Sequence, residues 1–194
     1  MDVPQLLEAA ALLVPEDVAD EGDVTVSDVW ECLVRDEWEV AIGLLEECGG
    51  ERALSLEFWE ALAAAAEQLR LERSAAWCRW RCYEARCGVI RADLTLRPVG
   101  EARRRTPFSG AGVLRPMWEI GNRTPAGEPT LHVAALWAEF VPFVEPGGRA
   151  TVRLAPLDRS GWQNLRPGQV ITMHEDMTVA GTAVVLDVRC PVAG

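Results

Sequence analysis

The spacing of apolar residues changes once along this chain, at Gly88. Before Gly88, apolar side chains recur every three to four residues, as in an amphipathic helix, and after it they alternate with polar residues, as in a half-buried strand. A chain of 194 residues is long enough for two small domains. The spacing therefore predicts an α+β protein of two domains, an all-helical bundle at residues 1–88 and a β-domain at residues 89–194.

Five helices are expected in the first domain, and three of their starts carry capping signals. These signals are Thr25 followed by Asp28, Asp36 followed by Glu39, and Ser55. Pro15 is expected to end the first helix, and glycines at 49, 50 and 88 stand where C-terminal caps belong. These signals together predict where each helix begins and ends.

Apolar stripes along these helices indicate which side chains should be buried. In the second helix the expected inner side is Val29, Trp30, Leu33 and Val34, and in the last helix it is Ala76, Trp77, Trp80 and Tyr83 or Glu84. The tryptophans of the helical domain fall on such stripes. We therefore expect them in the core rather than in a binding site.

Five alternating runs predict strands in the second domain. They are residues 90–96, 131–140, 150–154, 170–174 and 178–188. Pro-Gly pairs precede two of these runs, as turn chemistry requires. Six or so strands in about a hundred residues need a closed barrel or a sandwich to protect their edges.

The charge of the chain is divided unevenly. Residues 1–70 carry eighteen Asp and Glu against three Arg, whereas residues 71–194 carry twelve against sixteen. A field of one sign attracts molecules of the other, so the first half is expected to draw in basic proteins and to repel nucleic acid. A strongly acidic surface also favours solubility, which is the plainer explanation.

Composition argues against several classes of enzyme. The chain contains no lysine, which excludes a lysine-containing phosphate loop and a Schiff base. The spacing of Cys78, Cys82 and Cys87 fits no standard zinc pattern, and His132 and His174 have no nucleophile motif beside them. We therefore expect a non-enzymatic protein with no metal, cofactor or small-molecule substrate.

The absence of a long apolar run and of a basic N-terminal leader predicts a cytoplasmic protein that does not bind membranes.

The second half resembles domain III of elongation factor Tu. Four elements carry the resemblance in order: Arg105-Thr106-Pro107-Phe108, Arg115-Pro116, Pro146-Gly147, and residues 170–176 with 178–185. The resemblance implies a six-stranded antiparallel barrel that contacts tRNA or translation proteins. The family's GTPase domain has no counterpart here, so GTP hydrolysis is not expected. Glu175-Asp176-Met177 also replaces the family's glycine-rich basic turn, which counts against tRNA binding.

Residues 28–47, with Phe58-Trp59-Glu60 beyond them, resemble small helical immunity proteins of bacterial polymorphic toxin systems, the Maf-type group. That resemblance implies a protein that binds and blocks a cognate toxin, in many cases a basic nuclease. The residues expected to contact such a toxin are Asp28, Glu31, Asp36, Glu37, Glu39, Glu46 and Glu47.

A translation accessory protein is the alternative interpretation. In that case the barrel would bind tRNA or a translation component, with phosphate contacts from Arg103, Arg104, Arg105 and Arg115. Three consecutive arginines in a loop cannot all face a core, but they could equally be solvated or paired with the protein's own carboxylates. A third possibility, an enzyme with an unrecognised site, has no motif behind it.

Overall fold

The computed structural model describes residues 1–15, 24–50 and 52–189. The chain divides into two compact units, the first spanning Met1–Cys87 and the second beginning at Gly88. The first contains helices and the second a closed antiparallel barrel, so the α+β class and the order of the two parts agree with the prediction. None of the helices in the described residues is long and apolar enough to cross a bilayer.

The described residues of the first unit form five α-helices: α1 Val3–Leu12, α2 Val26–Val34, α3 Trp38–Cys48, α4 Leu56–Gln68 and α5 Glu72–Cys87. A capping box of Thr25 and Asp28 opens α2, and the Ser55 side chain caps α4 by accepting a hydrogen bond from the Phe58 amide. Both predicted caps are confirmed. Satisfying these amide groups fixes the first turns of the two helices.

The predicted capping pair of Asp36 and Glu39 is wrong. Helix α3 begins one residue later, at Trp38, and its N-cap Glu37 makes no side-chain capping bond. Asp36 instead closes the preceding helix in the left-handed conformation, with φ of 58°. The amides of Asp36 and Glu37 donate to the carbonyls of Leu33 and Cys32, the pattern of a Schellman motif. Asp36, which lies between the two helices, therefore ends α2 and does not begin α3.

The helical core surrounds Phe58 and Trp59, which are fully buried with Leu7, Ile42, Leu45 and Leu62. The buried side of α5 differs from the prediction, since Trp77 and Trp80 are only partly buried. The buried residues of α5 are Ala75, Cys78, Arg81, Cys82, Glu84 and Ala85. Val34, expected inside, is 86% exposed. Glu84, one of the two predicted alternatives at the end of this stripe, is buried, whereas the buried Arg81 takes a place that the sequence pattern assigned to tryptophans.

The second unit contains eight strands in its described residues: β1 Val89–Leu96, β2 Phe108–Ser109, β3 Met117–Arg123, β4 Pro129–Ala138, β5 Phe143–Val144, β6 Arg149–Pro156, β7 Val170–Glu175 and β8 Thr178–Arg189. Six of them close into an antiparallel barrel in the order β1-β6-β4-β3-β7-β8, and β2 pairs with β5. The five predicted runs all form barrel strands. The sixth strand, β3, was not predicted, although its Trp118 is fully buried.

The barrel core consists of inward side chains from all six strands, among them Leu94, Trp118, Leu136, Leu154 and Ile171. A 3₁₀ turn at Ser160–Trp162 lies in the connection between β6 and β7. Closure joins β1 to β8, so both edges of β1 are paired. A closed barrel leaves none of its six strands with an open edge.

Long connections gather at one end of the barrel. The Gly110 amide donates to the Pro142 carbonyl at 2.8 Å, and the Gly147 amide donates to the Arg97 carbonyl at 3.0 Å. Ion pairs join the same region to the tip of the β7–β8 hairpin. We call this region the loop end and define it as residues 97–116, 139–148 and 175–177.

Candidate protein-binding surfaces

An exposed acidic turn joins α2 to α3. We define it as residues 34–40; its carboxylates are Asp36, Glu37 and Glu39, all exposed. The Schellman motif that closes α2 fixes its backbone. Val34 and Val40 are 86% and 53% exposed in the same turn. The acidic turn therefore presents apolar side chains among carboxylates, an arrangement found at protein interfaces.

Two of the predicted contact residues have partners within the helical unit. The Asp28 carboxylate accepts hydrogen bonds from the Thr25 hydroxyl and amide at 2.7 and 2.8 Å. These bonds, the hydroxyl's first, hold the pKa of Asp28 below its ordinary value. Glu31 pairs with Arg35 across one helical turn at 3.2 Å, and both side chains are exposed. Asp28 contributes to capping, and the charge of Glu31 is partly offset.

Glu46 and Glu47 lie in different environments. Glu47 is exposed, whereas Glu46 is half-buried and lies 3.8 Å from the Cys78 thiol. Burial raises the pKa of Glu46, although hydrogen bonds from Ser74 and Cys78 and the charge of Arg73 act in the opposite direction. Glu46 therefore packs against α5, so of this pair only Glu47 is open to a partner.

Carboxylates of the barrel itself neutralise two of the four predicted phosphate-binding arginines. The Arg104 guanidinium donates to both Glu175 oxygens, the closest contact being 2.5 Å, and its Cζ lies 5.3 Å from the centre of the Phe108 ring. Arg103 pairs with Asp176 at 3.0 Å on the surface. The acidic hairpin tip that departs from the family pattern thus pairs with arginines of the Thr-Pro-Phe loop.

Arg105 and Arg115 are exposed, and neither has an ion pair among the described residues. They keep their charge available to an incoming anion. The predicted set of four arginines therefore divides into two paired and two open members, which weakens it as a phosphate-binding site.

The cysteines and histidines form no metal cluster within the described residues. Burial raises the pKa of Cys82 to about 11 and that of Cys78 further, so both thiols stay protonated at neutral pH. His132 Nε2 lies 3.0 Å from the Asn122 side-chain nitrogen, and His174 Nε2 lies 3.8 Å from Glu119. These contacts place the two histidines in separate polar groups on the barrel.

One buried polar group was not anticipated. Arg81 is 3% exposed, and its guanidinium donates to the carbonyls of Gly49, Gly50 and Arg52 at 2.6 to 2.8 Å. It also pairs with Glu84 at 3.0 Å and stacks on Trp59, with its Cζ 4.2 Å from the ring centre. Its position on the side of α5 that carries Cys78 is the signal that sequence reasoning could have used.

No protein-family model matches this chain, and no curated protein matches it.

Proposed function

We propose that this chain is a non-enzymatic binding protein of the immunity type, whose acidic turn docks on a basic protein toxin and blocks it. The observation that carries the proposal is the acidic turn itself, with three exposed carboxylates and two exposed valines on a fixed backbone. The resemblance of residues 28–47 to Maf-type immunity proteins supports the same partner class.

The negative charge around the acidic turn favours basic partners. The first 70 residues carry fifteen more negative than positive charges, which creates a long-range field that attracts cationic surfaces. Such steering raises association rates and makes them sensitive to salt. Val34 and Val40 would add apolar contact after docking, which a small cation could not use but a protein surface could.

A translation-related role for the barrel is the second candidate. The closed six-stranded antiparallel barrel is compatible with the resemblance to domain III of elongation factor Tu. Arg105 and Arg115 are the residues available for phosphate contact in that case. Pairing of Arg103 and Arg104 with Glu175 and Asp176 favours the first candidate, because it removes half of the expected basic surface.

Binding by matched variants distinguishes the two candidates. The acidic variant is Asp36→Asn/Glu37→Gln/Glu39→Gln, the basic variant is Arg105→Gln/Arg115→Gln, and the charge-matched control is Glu8→Gln/Glu101→Gln/Glu128→Gln. Each is immobilised and tested by surface plasmon resonance against bulk tRNA and against basic proteins captured from the native cell.

We expect the captured basic protein to bind wild type and the control alike, and to associate about tenfold more slowly with the acidic variant. Bulk tRNA should not be retained at physiological salt. Retention of tRNA by wild type, lost only in the basic variant, would replace the immunity proposal with the translation one.

A further inference from the structure

We propose that two copies of this chain associate through the loop ends of their barrels. This inference is independent of the proposed function, since it concerns a different surface and needs no toxin. It rests on three properties of the loop end: exposed apolar side chains, a fixed and strained backbone, and balanced charge.

The loop end exposes large apolar side chains that the barrel core does not use. Their exposed fractions run from 60% to 86%, and they are Val99, Val113, Phe140, Phe143 and Met177. All the exposed phenylalanines of the described chain are among them. Single exposed apolar residues are ordinary, but several at one end of a domain mark an interaction surface.

The backbone presents these side chains in strained conformations. Phe140 and Met177 have φ of 61° and 64°, values that bulky residues rarely adopt. Met177 follows Asp176 in the two-residue turn of the β7–β8 hairpin, which requires positive φ, whereas Phe140 lies in a longer connection. Glu139, directly before Phe140, is anchored by ion pairs to Arg91 and Arg153 at 2.8 Å. An exposed aromatic ring at a strained backbone position contributes little to the stability of the fold. Its exposure therefore points to a role in binding.

The charge of the loop end selects the partner. It contains five arginines and five carboxylates, but Glu139 is buried and pairs with Arg91 and Arg153, which lie outside the loop end. This leaves four carboxylates against five arginines, so the surface is nearly neutral on a chain whose net charge is −11. Arg97, Arg105 and Arg115 are exposed and lack ion pairs within the described residues, and so do the exposed Glu101 and Glu145. A surface with open groups of both signs is complementary to one with the same mixture.

The loop end of a second copy carries the same mixture of positive and negative groups. In a twofold contact arginines of one copy can face carboxylates of the other, because both copies present the same patch. A nucleic acid would meet the exposed carboxylates of Glu101, Glu145 and Asp176, and a strongly charged protein would gain little from a nearly neutral surface. The acidic remainder of each chain repels its counterpart, so we expect added salt to strengthen the association.

The test is sedimentation velocity of the full chain from about 1 to about 100 μM, a range suited to weak dimers. The variants are Phe140→Gly and Phe140→Gly/Phe143→Ser. Glycine suits the positive φ at residue 140, so the ring is removed without loss of backbone fit. The matched control is Leu157→Ser/Leu186→Ser, which removes two exposed leucines outside the loop end.

We expect a dimer in wild type and in the control, and at least about tenfold weaker association in the double variant. Hydrogen exchange at high protein concentration should slow within residues 97–116 and 139–148. A monomer at the highest concentration, a dimer unaffected by the double variant, or protection confined to other segments would each overturn the proposal. The Asp36→Asn/Glu37→Gln/Glu39→Gln variant should dimerise at least as well as wild type, because it removes three of the negative charges by which the two copies repel each other. The same variant should bind the toxin more slowly, which keeps the two tests separate.

Discussion

Replacing Arg81 by methionine should destabilise the helical unit more than any surface substitution on the same helix. Methionine keeps an apolar stem against Trp59 but removes the guanidinium that donates to three backbone carbonyls and pairs with the Glu84 carboxylate. Breaking a buried ion pair on one side costs about 3–5 kcal/mol. We therefore expect a loss of about 4 kcal/mol in the free energy of unfolding, a large part of the roughly 5–15 kcal/mol that holds a typical domain together.

Arg79→Met is the matched control. Arg79 lies on the same helix and pairs with Glu67 at 2.7 Å, but both side chains are about half exposed. Such a surface pair contributes about 0–1 kcal/mol. Urea is the suitable denaturant because it does not screen ion pairs, and far-ultraviolet circular dichroism reports the helices.

The double variant Arg81→Met/Glu84→Gln should recover part of the loss, since it leaves no unpaired buried charge. A loss of less than about 1 kcal/mol in Arg81→Met, equal to that of the Arg79 control, would refute the claim that Arg81 holds Gly49, Gly50 and Arg52 onto α5.

Three further predictions concern the same unit. Gly49→Ala should cost about 1–3 kcal/mol in thermal or urea unfolding, because its Cβ would lie 2.4 Å from the Trp59 ring. Gly43→Ala should stabilise by about 0.5–1 kcal/mol, since nothing lies within 4 Å of its Cβ and alanine favours the helix. Glu46→Gln should raise the free energy of unfolding at neutral pH, because burial raises the pKa of Glu46 in the folded state and ionisation there opposes folding. The gain should vanish as the pH falls below the ordinary glutamate pKa, where both states are protonated; an equal gain at all pH values would contradict it.

Capping residues in the sequence predicted helix starts correctly where the residue could only begin a helix. Thr25 and Ser55 each follow residues whose sequence has no helical pattern, so each could only start a helix, and each does so. Asp36 follows α2 directly and could either end that helix or begin the next. The choice depends on backbone hydrogen bonds to Cys32 and Leu33, which the residue pattern does not specify.

Strand β3 and most of the inner side of α5 were missed, each for its own physical reason. Glu119 alternates with Trp118 and Ile120, but Gly121 and Asn122 interrupt the pattern after four residues, so the run is too short to stand out. Arg81 is read as a surface residue from sequence, because burial of a charge requires partners that other segments supply. For the candidate site, the sequence located the acidic segment but could not show that Glu46 turns toward α5.

The closure of the barrel has a consequence for how the chain folds during synthesis. Strand β1 pairs on one side with β6 and on the other with β8, and the outermost pair joins Val89 to Arg189. The helical residues precede all of these strands, so they can fold while the ribosome is still making the barrel. One edge of β1 waits for β6, and the other stays unpaired until β8, and with it almost the whole described chain, has emerged. Contacts between such distant residues form slowly. A ribosome stalled before Thr178 would therefore carry a folded helical unit and an open, aggregation-prone sheet.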